Sequence, residues 1–476
     1  MQFKKWLVIL ELALLLTACS ALAEPTATPI PEPTVSPTAT PEPTATPAFV
    51  FGPDPFSQGM MARRNGDYAR AIAAFQTTLN SNPAPEAQFR LGEAYWLYND
   101  DERAAAALNA YLQANPDGAH APETHYFLAD AYRALKDYPN AFAHLKIYRD
   151  LSPTLVGDTD ATIADLMVIA GDGANAIAQY DLALQDPNLS TSNKINILMR
   201  VADVYSGRGQ PALAAARYDA ALAFATDART RADLYLRAGE SYAAAGQLDE
   251  AIARWTEPFV KYPEQPGAYK SLIDLLNRNI AVDDFQRGLV DYYANANDPA
   301  ITAFQNHLKS DAPREGEARY YIGSAYARKA AYSQAMAEFD IIIKTLPKDK
   351  RVAEAYLGKA SAQGLLGKVD EAVATYKKLA ATIPDDALAD DALWRAAQLL
   401  DRVKRYSDAA NAYAEVQSKY PTRENASTAL FMAGYEHYRL KDYKTAMTHW
   451  QALVKDYGGR PRRLRRPITS GARKTC

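Results

Sequence analysis

The chain has 476 residues, of which 23% are charged, and its formal net charge is −3. Its two cysteines are Cys19 and Cys476, so no disulfide framework can stabilise the region between them. Seven basic residues and no acid follow Gly459, which makes the preceding region more acidic than the total suggests. This charge argues against nucleic acid as a ligand of that region.

Residues 1–18 are predicted to be a signal peptide. Lys4 and Lys5 precede an apolar run that contains Glu11, and the run ends in Leu16-Thr17-Ala18-Cys19. That tetrad resembles the lipobox of bacterial lipoproteins, which implies cleavage before Cys19 and lipidation of Cys19. We therefore expect an extracytoplasmic lipoprotein, anchored to the cell membrane or outer membrane and located in the periplasm or at the cell surface. The alternatives are a transmembrane anchor, for which the run is short, and a chance cysteine.

Residues 19–51 are predicted to be a disordered linker. Between positions 20 and 47 the chain has eight prolines and seven threonines, and the hexapeptide Glu-Pro-Thr-Ala-Thr-Pro occurs at 24–29 and at 42–47. So few large apolar residues cannot form a core, and the prolines favour polyproline II conformation. At ~3.1 Å per residue the segment could act as a spacer of up to roughly 90 Å.

A ladder of paired residues follows. An alanine is followed four positions later by a large residue, and near the C-terminus these pairs recur every 37 residues. A small residue lies twelve positions before most of these alanines, which predicts two helices per unit that pack closely. The pairs are Ala71/Phe75, Ala104/Leu108, Ala141/Leu145, Ala176/Tyr180, Ala214/Tyr218, Ala251/Trp255, Ala300/Phe304, Ala335/Phe339, Ala372/Tyr376, Ala409/Tyr413 and Ala446/Trp450.

This register, with polar turns and terminating prolines, resembles the tetratricopeptide repeat. The resemblance implies an all-α superhelical solenoid of about eleven helical hairpins. We expect an N-terminal array over 52–265, a divergent helical hairpin over 266–299 and a C-terminal array over 300–458. The long loops between repeats are similar to those of bacterial envelope lipoproteins.

Residues 459–476 form a basic tail that does not continue the repeat. Its arginines and prolines have no helical period. One interpretation is an arm for nucleic acid or anionic lipid. The interpretation that we favour is a frameshift that truncates the array, a hypothesis that the nucleotide sequence can test.

Motifs of catalysis are scarce. The six histidines form no HExxH pattern, no GxSxG occurs, and neither a cofactor nor a metal site is predicted. Glu240-Ser241 matches the acidic dipeptide of lytic transglycosylases, but it lies within a repeat helix and lacks the residues that should follow. Residues 390–397, 405–410 and 429–434 are similar to the helical N-terminal region of soluble lytic transglycosylases, whose catalytic domain would come later. The chain as given is therefore predicted not to be an enzyme.

In tetratricopeptide arrays the first helix of each hairpin lines a binding groove. Aromatic side chains there can anchor a peptide or stack on sugars, and acids can pair with basic groups. The alternative for each aromatic is packing between hairpins. The candidate groove residues are Phe89, Glu93, Tyr126, Asp130, Asp203, Glu240, Tyr320, Trp394, Phe431 and Tyr435.

The resulting functional prediction is a lipid-anchored scaffold of the bacterial cell envelope. Its partner in the groove would be a protein or peptidoglycan, and the membrane would be contacted through the lipid. One alternative is a truncated peptidoglycan lytic transglycosylase, represented by its N-terminal helical region. A second alternative is an outer-membrane assembly lipoprotein, although such proteins have far fewer repeats.

Overall fold

The computed structural model describes residues 54–310 and 313–458, and all regular elements in these ranges are helical. The predicted signal peptide, Cys19, the Pro/Thr-rich linker and the basic tail lie outside the described residues. The described helices are α1 Pro55–Arg64, α2 Tyr68–Ser81, α3 Pro85–Leu97, α4 Asp101–Ala114, α5 Ala121–Ala134, α6 Tyr138–Leu151, α7 Val156–Ile169, α8 Gly173–Ala183, α9 Thr191–Gly207, α10 Pro211–Leu222, α11 Ala228–Ala244, α12 Leu248–Lys261, α13 Pro266–Asn277, α14 Asp284–Tyr293, α15 Asn297–Leu308, α16 Glu315–Arg328, α17 Tyr332–Thr345, α18 Val352–Leu365, α19 Val369–Thr382, α20 Ala389–Arg402, α21 Tyr406–Lys419, α22 Ala426–Arg439 and α23 Tyr443–Tyr457.

These helices belong to two compact units, divided between Gly209 and Gln210. Unit 1 contains α1–α9, with the hairpins α1/α2, α3/α4, α5/α6 and α7/α8. Unit 2 contains α10–α23, with the hairpins α11/α12, α14/α15, α16/α17, α18/α19, α20/α21 and α22/α23. Helices α9 and α10, which the repeat pattern joins as a further hairpin, lie on opposite sides of the division. The predicted all-α repeat fold is confirmed.

The alanine ladder forms the seam of every hairpin. All eleven predicted alanines are fully buried, at 0% exposure, and the ten large partners from Phe75 to Tyr413 are at most 5% exposed. Trp450, the partner in the last described hairpin, is only half-buried. The repeating alanine and large-residue pairs in the sequence therefore correctly predict the buried residues of the hairpins.

The small residue of the first helix is needed because the large residue of the second helix packs directly onto it. An added Cβ at Gly59, Gly92, Gly239, Gly323 or Gly434 would lie 2.5 to 2.8 Å from the side chain of the large partner. An added Cβ at Gly288, twelve positions before Ala300, would likewise lie 2.7 Å from the side chain of Phe304.

The short turns within hairpins require a left-handed backbone. Gly66, Lys136 and Gly367 have φ values of 77°, 62° and 76° in three of these turns. An aspartate then often begins the second helix, as where Asp137 accepts a hydrogen bond from the backbone N–H of Asn140. This side-chain acceptor satisfies one of the free N–H groups at the helix start.

The stretch 266–299, predicted as one divergent hairpin, is arranged differently. Helix α13 packs against α11 and α12 and has no second helix of its own, whereas α14 forms its hairpin with α15. Leu272 and Leu275 of α13 join the core around Trp255. The chain therefore inserts one additional helix between two regular hairpins of unit 2.

Candidate binding face of the first helices

The candidate residues of unit 1 lie on α3, α5 and α9, each at the register predicted for a groove. Phe89, on α3, is 2% exposed, and its ring stacks on His120 with the centroids 4.1 Å apart and the planes 2° from parallel. Tyr111 packs against the same ring. Phe89 is therefore a core residue, and its prediction as a groove contact is corrected: His120, from the loop before α5, covers the face that register alone would leave open.

Glu93 is also mostly buried, and its charge is compensated within the chain. Its carboxylate forms ion pairs with Arg90 at 2.9 Å and with Arg63 at 3.4 Å. Arg63 comes from α1, so this carboxylate joins neighbouring first helices. An internal ion pair of this kind leaves little charge for an external basic ligand.

Tyr126 and Asp130 on α5 are both partly buried. Burial raises the pKa of the Tyr126 phenol to about 12, and its ring packs against Tyr148 with the centroids 5.4 Å apart. Asp130 accepts hydrogen bonds from Trp96 Nε1 at 2.8 Å and from Arg133 Nε at 2.9 Å. Asp130 therefore bridges α3 and α5, as Glu93 bridges α1 and α3.

A further carboxylate lies at this register and was not predicted from the sequence. Asp165 on α7 follows the small Ala164, which lies twelve positions before Ala176 and so could have been found from the ladder. It accepts hydrogen bonds from the Tyr180 hydroxyl and from Arg200 Nη1, the latter at 2.6 Å. Asp203, one register position further along on α9, is exposed. The acids of unit 1 at this register thus mainly hold adjacent first helices together.

In unit 2 the first candidate is Glu240 on α11, which lies on the exposed side of the helix. Partial desolvation, and then the negative charge of Asp274, raise the pKa of its carboxyl, while Lys270 and Arg237 act in the opposite direction. Its place inside a regular repeat helix agrees with the interpretation of a solvated carboxylate.

Tyr320 and Trp394 are half-buried and pack against the second helix of their own hairpins. Tyr320 lies 6.1 Å from Phe339 between ring centroids, and the Arg351 guanidinium lies 4.8 Å from the Tyr320 centroid. Trp394 lies 5.1 Å from Tyr413. Each presents only part of its ring to solvent, because the hairpin seam holds the remainder.

Phe431 and Tyr435 on α22 differ from the other aromatic candidates because they are 44% and 41% exposed. Two aromatic neighbours that were not predicted from the sequence, Tyr438 and Tyr443, are 51% and 56% exposed. Tyr438 could have been found from helical spacing, since positions 431, 435 and 438 lie on one helix face. The aromatic surface of the described residues is therefore concentrated in the hairpin α22/α23.

Among the described residues, no group of three or more histidine, cysteine, aspartate or glutamate side chains has the arrangement of a metal site. Within the same residues, no helix combines the length and apolar character needed to cross a membrane. Both cysteines lie outside the described part of the chain, so the lipidation of Cys19 stays a prediction.

Sequence models of the tetratricopeptide repeat match five segments of the chain. One model matches residues 56–119 and 285–350, and another matches 354–386, 391–423 and 428–459. The chain contains tetratricopeptide repeats. The segments agree with the hairpins and the buried ladder described above. Among curated proteins, no sequence match is found.

Solved structures with similar helical arrays share little sequence with the chain. A Naa15/Naa10 complex bound to HypK-THB has a TM-score of 0.43 and 14% identity, with 85% of this chain and 68% of that chain covered. A thermophilic tetratricopeptide-repeat protein of Thermus thermophilus, TTC0263, has a TM-score of 0.27 and 21% identity, with coverages of 40% and 97%. Yeast Tom70 has a TM-score of 0.29 and 14% identity, with coverages of 81% and 96%.

Proposed function

We propose that the protein is a protein-binding scaffold of the bacterial cell envelope, anchored by a lipid on Cys19. Repeat arrays of this type serve protein–protein interaction, and the predicted signal peptide would place this array outside the cytoplasm. The proposed contact surface is the exposed first-helix face of unit 2 around Phe431 and Tyr435.

The observation that carries the proposal is the exposure of these two aromatic side chains. Phe89 has the same register as Phe431 but is 2% exposed, whereas Phe431 is 44% exposed. The repeat therefore does not require this exposure. Full burial of an aromatic side chain contributes about 1.5–3 kcal/mol, so covering Phe431 and Tyr435 would supply useful affinity for a partner.

A site-specific crosslinker tests the binding surface. The photoreactive amino acid p-benzoylphenylalanine is placed at position 435 of the full chain in a bacterial host, and a matched variant carries it at position 98, where Tyr98 is 52% exposed in unit 1. We expect a discrete adduct with another envelope protein from position 435 only. Equal adducts from both positions, or none from position 435, would contradict the proposed surface.

The anchor is tested separately, because the two cysteines provide matched variants. Cells are labelled with radioactive palmitate, and the protein is isolated from wild type, Cys19→Ser and Cys476→Ser strains. We expect the label in wild type and in Cys476→Ser but not in Cys19→Ser. Retention of the label in Cys19→Ser would show that Cys19 is not the lipidation site.

Peptidoglycan as the ligand, the truncated lytic transglycosylase and the outer-membrane assembly lipoprotein stay predictions from the sequence. A muropeptide pull-down distinguishes the first of these from a protein ligand. Binding that is lost in Trp394→Ala would favour peptidoglycan, and an array that binds no muropeptide would exclude it as the ligand of this face.

A further inference from the structure

Two histidines face each other between α5 and α6, the two helices of one hairpin in unit 1. Nδ1 of His125 lies 2.8 Å from Nδ1 of His144, and the ring centroids are 5.0 Å apart. His125 is 9% exposed, and the His144 ring stacks on Tyr132 with the planes 9° from parallel. The distance between the two nitrogens is that of a hydrogen bond, so one Nδ1 must carry a proton and the other must accept it.

The same two positions hold different polar pairs in other hairpins. A hydrogen bond of 2.8 to 3.0 Å joins the two positions in three of them, α3/α4, α7/α8 and α16/α17. The residues there are Gln88 and Ala107, Asp160 and Gln179, and Arg319 and Glu338. The donor in each of these pairs is an amide or a guanidinium, which keeps its protons at any ordinary pH. The histidine pair differs because its acceptor can itself be protonated.

Protonation of the histidine pair has two different effects. The first proton can enter at Nε2 of the donor ring, and the bond between the two Nδ1 atoms stays. The second proton must enter at the Nδ1 that accepts this bond. Two N–H groups and two positive charges would then face each other across the 2.8 Å between the rings. The doubly protonated pair therefore does not fit between the packed helices.

We propose that His125 and His144 form a pH-sensitive latch, which holds α5 against α6 at neutral pH and releases it in acid. Tyr126, the residue after His125, packs against Tyr148 of α6 with the ring centroids 5.4 Å apart. Separation of the two helices would expose both phenol rings and so change the surface of unit 1 around Tyr126. The inference concerns one hairpin and does not depend on the external partner or the lipid anchor proposed above.

Helices α3 and α4, which pack on α5, provide no free carboxylate to compensate a charged latch. Asn109 of α4 donates a hydrogen bond to the Tyr132 hydroxyl at 2.8 Å. Trp96 of α3 donates to Asp130 of α5 at 2.8 Å, and Asp130 also accepts from Arg133 at 2.9 Å. The Asp130 carboxylate is therefore already compensated by its own neighbours.

The elements packed on α6 are α7 and the short helical turn Pro153–Leu155. Asp160 of α7 forms an ion pair with Arg149 of α6 at 3.1 Å, and the turn has no ionisable side chain. Burial lowers the pKa of His125. Burial, and then the positive charge of His125, lower the pKa of His144 to about 4. The surroundings thus favour the neutral form of both rings.

The direction of the pH effect follows from these pKa values. In an open hairpin the His144 imidazole would regain a pKa near 6.5, whereas its pKa in the closed hairpin is about 4. The open form binds the proton at a higher pH, so the closed form loses stability as the pH falls from about 6.5 to about 4. For His144 alone, the ratio of open to closed hairpin should rise roughly twentyfold between pH 7 and pH 5.

Hydrogen exchange of the full chain, measured by mass spectrometry on peptides of α5 and α6, tests the latch. After correction for the intrinsic exchange rate, we expect exchange in both helices to accelerate roughly twentyfold from pH 7 to pH 5. The matched control is the double variant His125→Gln/His144→Ala. It has the same pair as Gln88 and Ala107 in the preceding hairpin, one 37-residue step earlier, and should show no such acceleration.

Equal acceleration in the wild type and the double variant, or none in the wild type, would overturn the inference. NMR of the wild-type chain with ¹³C-labelled histidine gives a second measurement, which does not require the double variant to fold. The spectra of His125→Gln and His144→Gln assign the two rings. At least one of them should titrate well below the ordinary histidine pKa, and two rings that both titrate near pH 6.5 would also overturn the latch.

Discussion

Replacing Gly239 by alanine should overpack the hairpin α11/α12. A Cβ at this position would lie 2.6 Å from both Cδ1 and Nε1 of Trp255. Trp255 is 0% exposed, and the Arg278 guanidinium lies 4.5 Å from its ring centroid, so the indole has little room to move away. The two helices must therefore separate or the tryptophan must leave its preferred rotamer.

The matched control is Gly364→Ala on α18. There the nearest atoms to an added Cβ are Leu399 side-chain carbons at 3.4 and 3.6 Å, which is ordinary contact. Alanine within a helix is favoured over glycine by about 1 kcal/mol, whereas overpacking costs about 1–3 kcal/mol. The difference between the two effects predicts that Gly239→Ala lowers the free energy of unfolding by up to about 2 kcal/mol, whereas Gly364→Ala raises it by up to about 1 kcal/mol.

Because each repeat in such an array contacts mainly its neighbours, stability can differ from one hairpin to the next. The unfolding of the hairpin α11/α12 should therefore be measured as well as that of the whole chain. Urea unfolding followed by tryptophan fluorescence gives the first measurement. Hydrogen exchange of peptides from α11 and α12 gives the second, and exchange there should accelerate in Gly239→Ala only. If both alanine variants stabilise the protein equally, the close contact between Gly239 and Trp255 does not exist.

Burial raises the pKa of Asp291 to about 6 from 3.8, so ionising this carboxyl should weaken folding as pH rises from about 4 to about 6. Asp291→Asn should be more stable than wild type at pH 8 by about 2–3 kcal/mol and similar at pH 4; urea midpoints that shift equally at both pH values would contradict this. Ala372→Phe places a large ring at a position with 0% exposure and should lower the free energy of unfolding by ~1–3 kcal/mol, and an unchanged thermal melt would refute the ladder register. Trp96→Phe removes one hydrogen bond to Asp130 and some volume from a side chain that is 2% exposed, so it should lower the free energy of unfolding by at least about 1 kcal/mol, and an unchanged urea midpoint would contradict this.

The hairpins could be predicted because their contacts are local. The alanine, the large residue four positions later and the small residue twelve positions earlier belong to one hairpin, so a single period contains the packing information. Helix α13 was misassigned for the same reason. Its place depends on packing against α11 and α12, and it carries no alanine–aromatic pair that would place it within the ladder.

The candidate residues were harder to predict because exposure depends on neighbours from outside the period. Phe89 and Phe431 share a register, yet His120 covers the former and nothing described covers the latter to the same extent. Glu93 looked like a groove acid, but Arg63 and Arg90 both reach it. The register of a residue predicts which way its side chain points. Whether that side chain is exposed depends on the loops and long arginine side chains that pack against it.

Position 438 shows what the repeat leaves undetermined. The hairpin seam requires a small residue at 434 and accepts a large one at 450, but it places no demand on 438, where the preceding hairpin has Asp401. An exposed tyrosine there contributes little to folding, since about half of its surface stays in water. Its ring contacts with Tyr443 and Trp450 nevertheless align three aromatic faces. The period of the repeat therefore does not predict the residue at position 438.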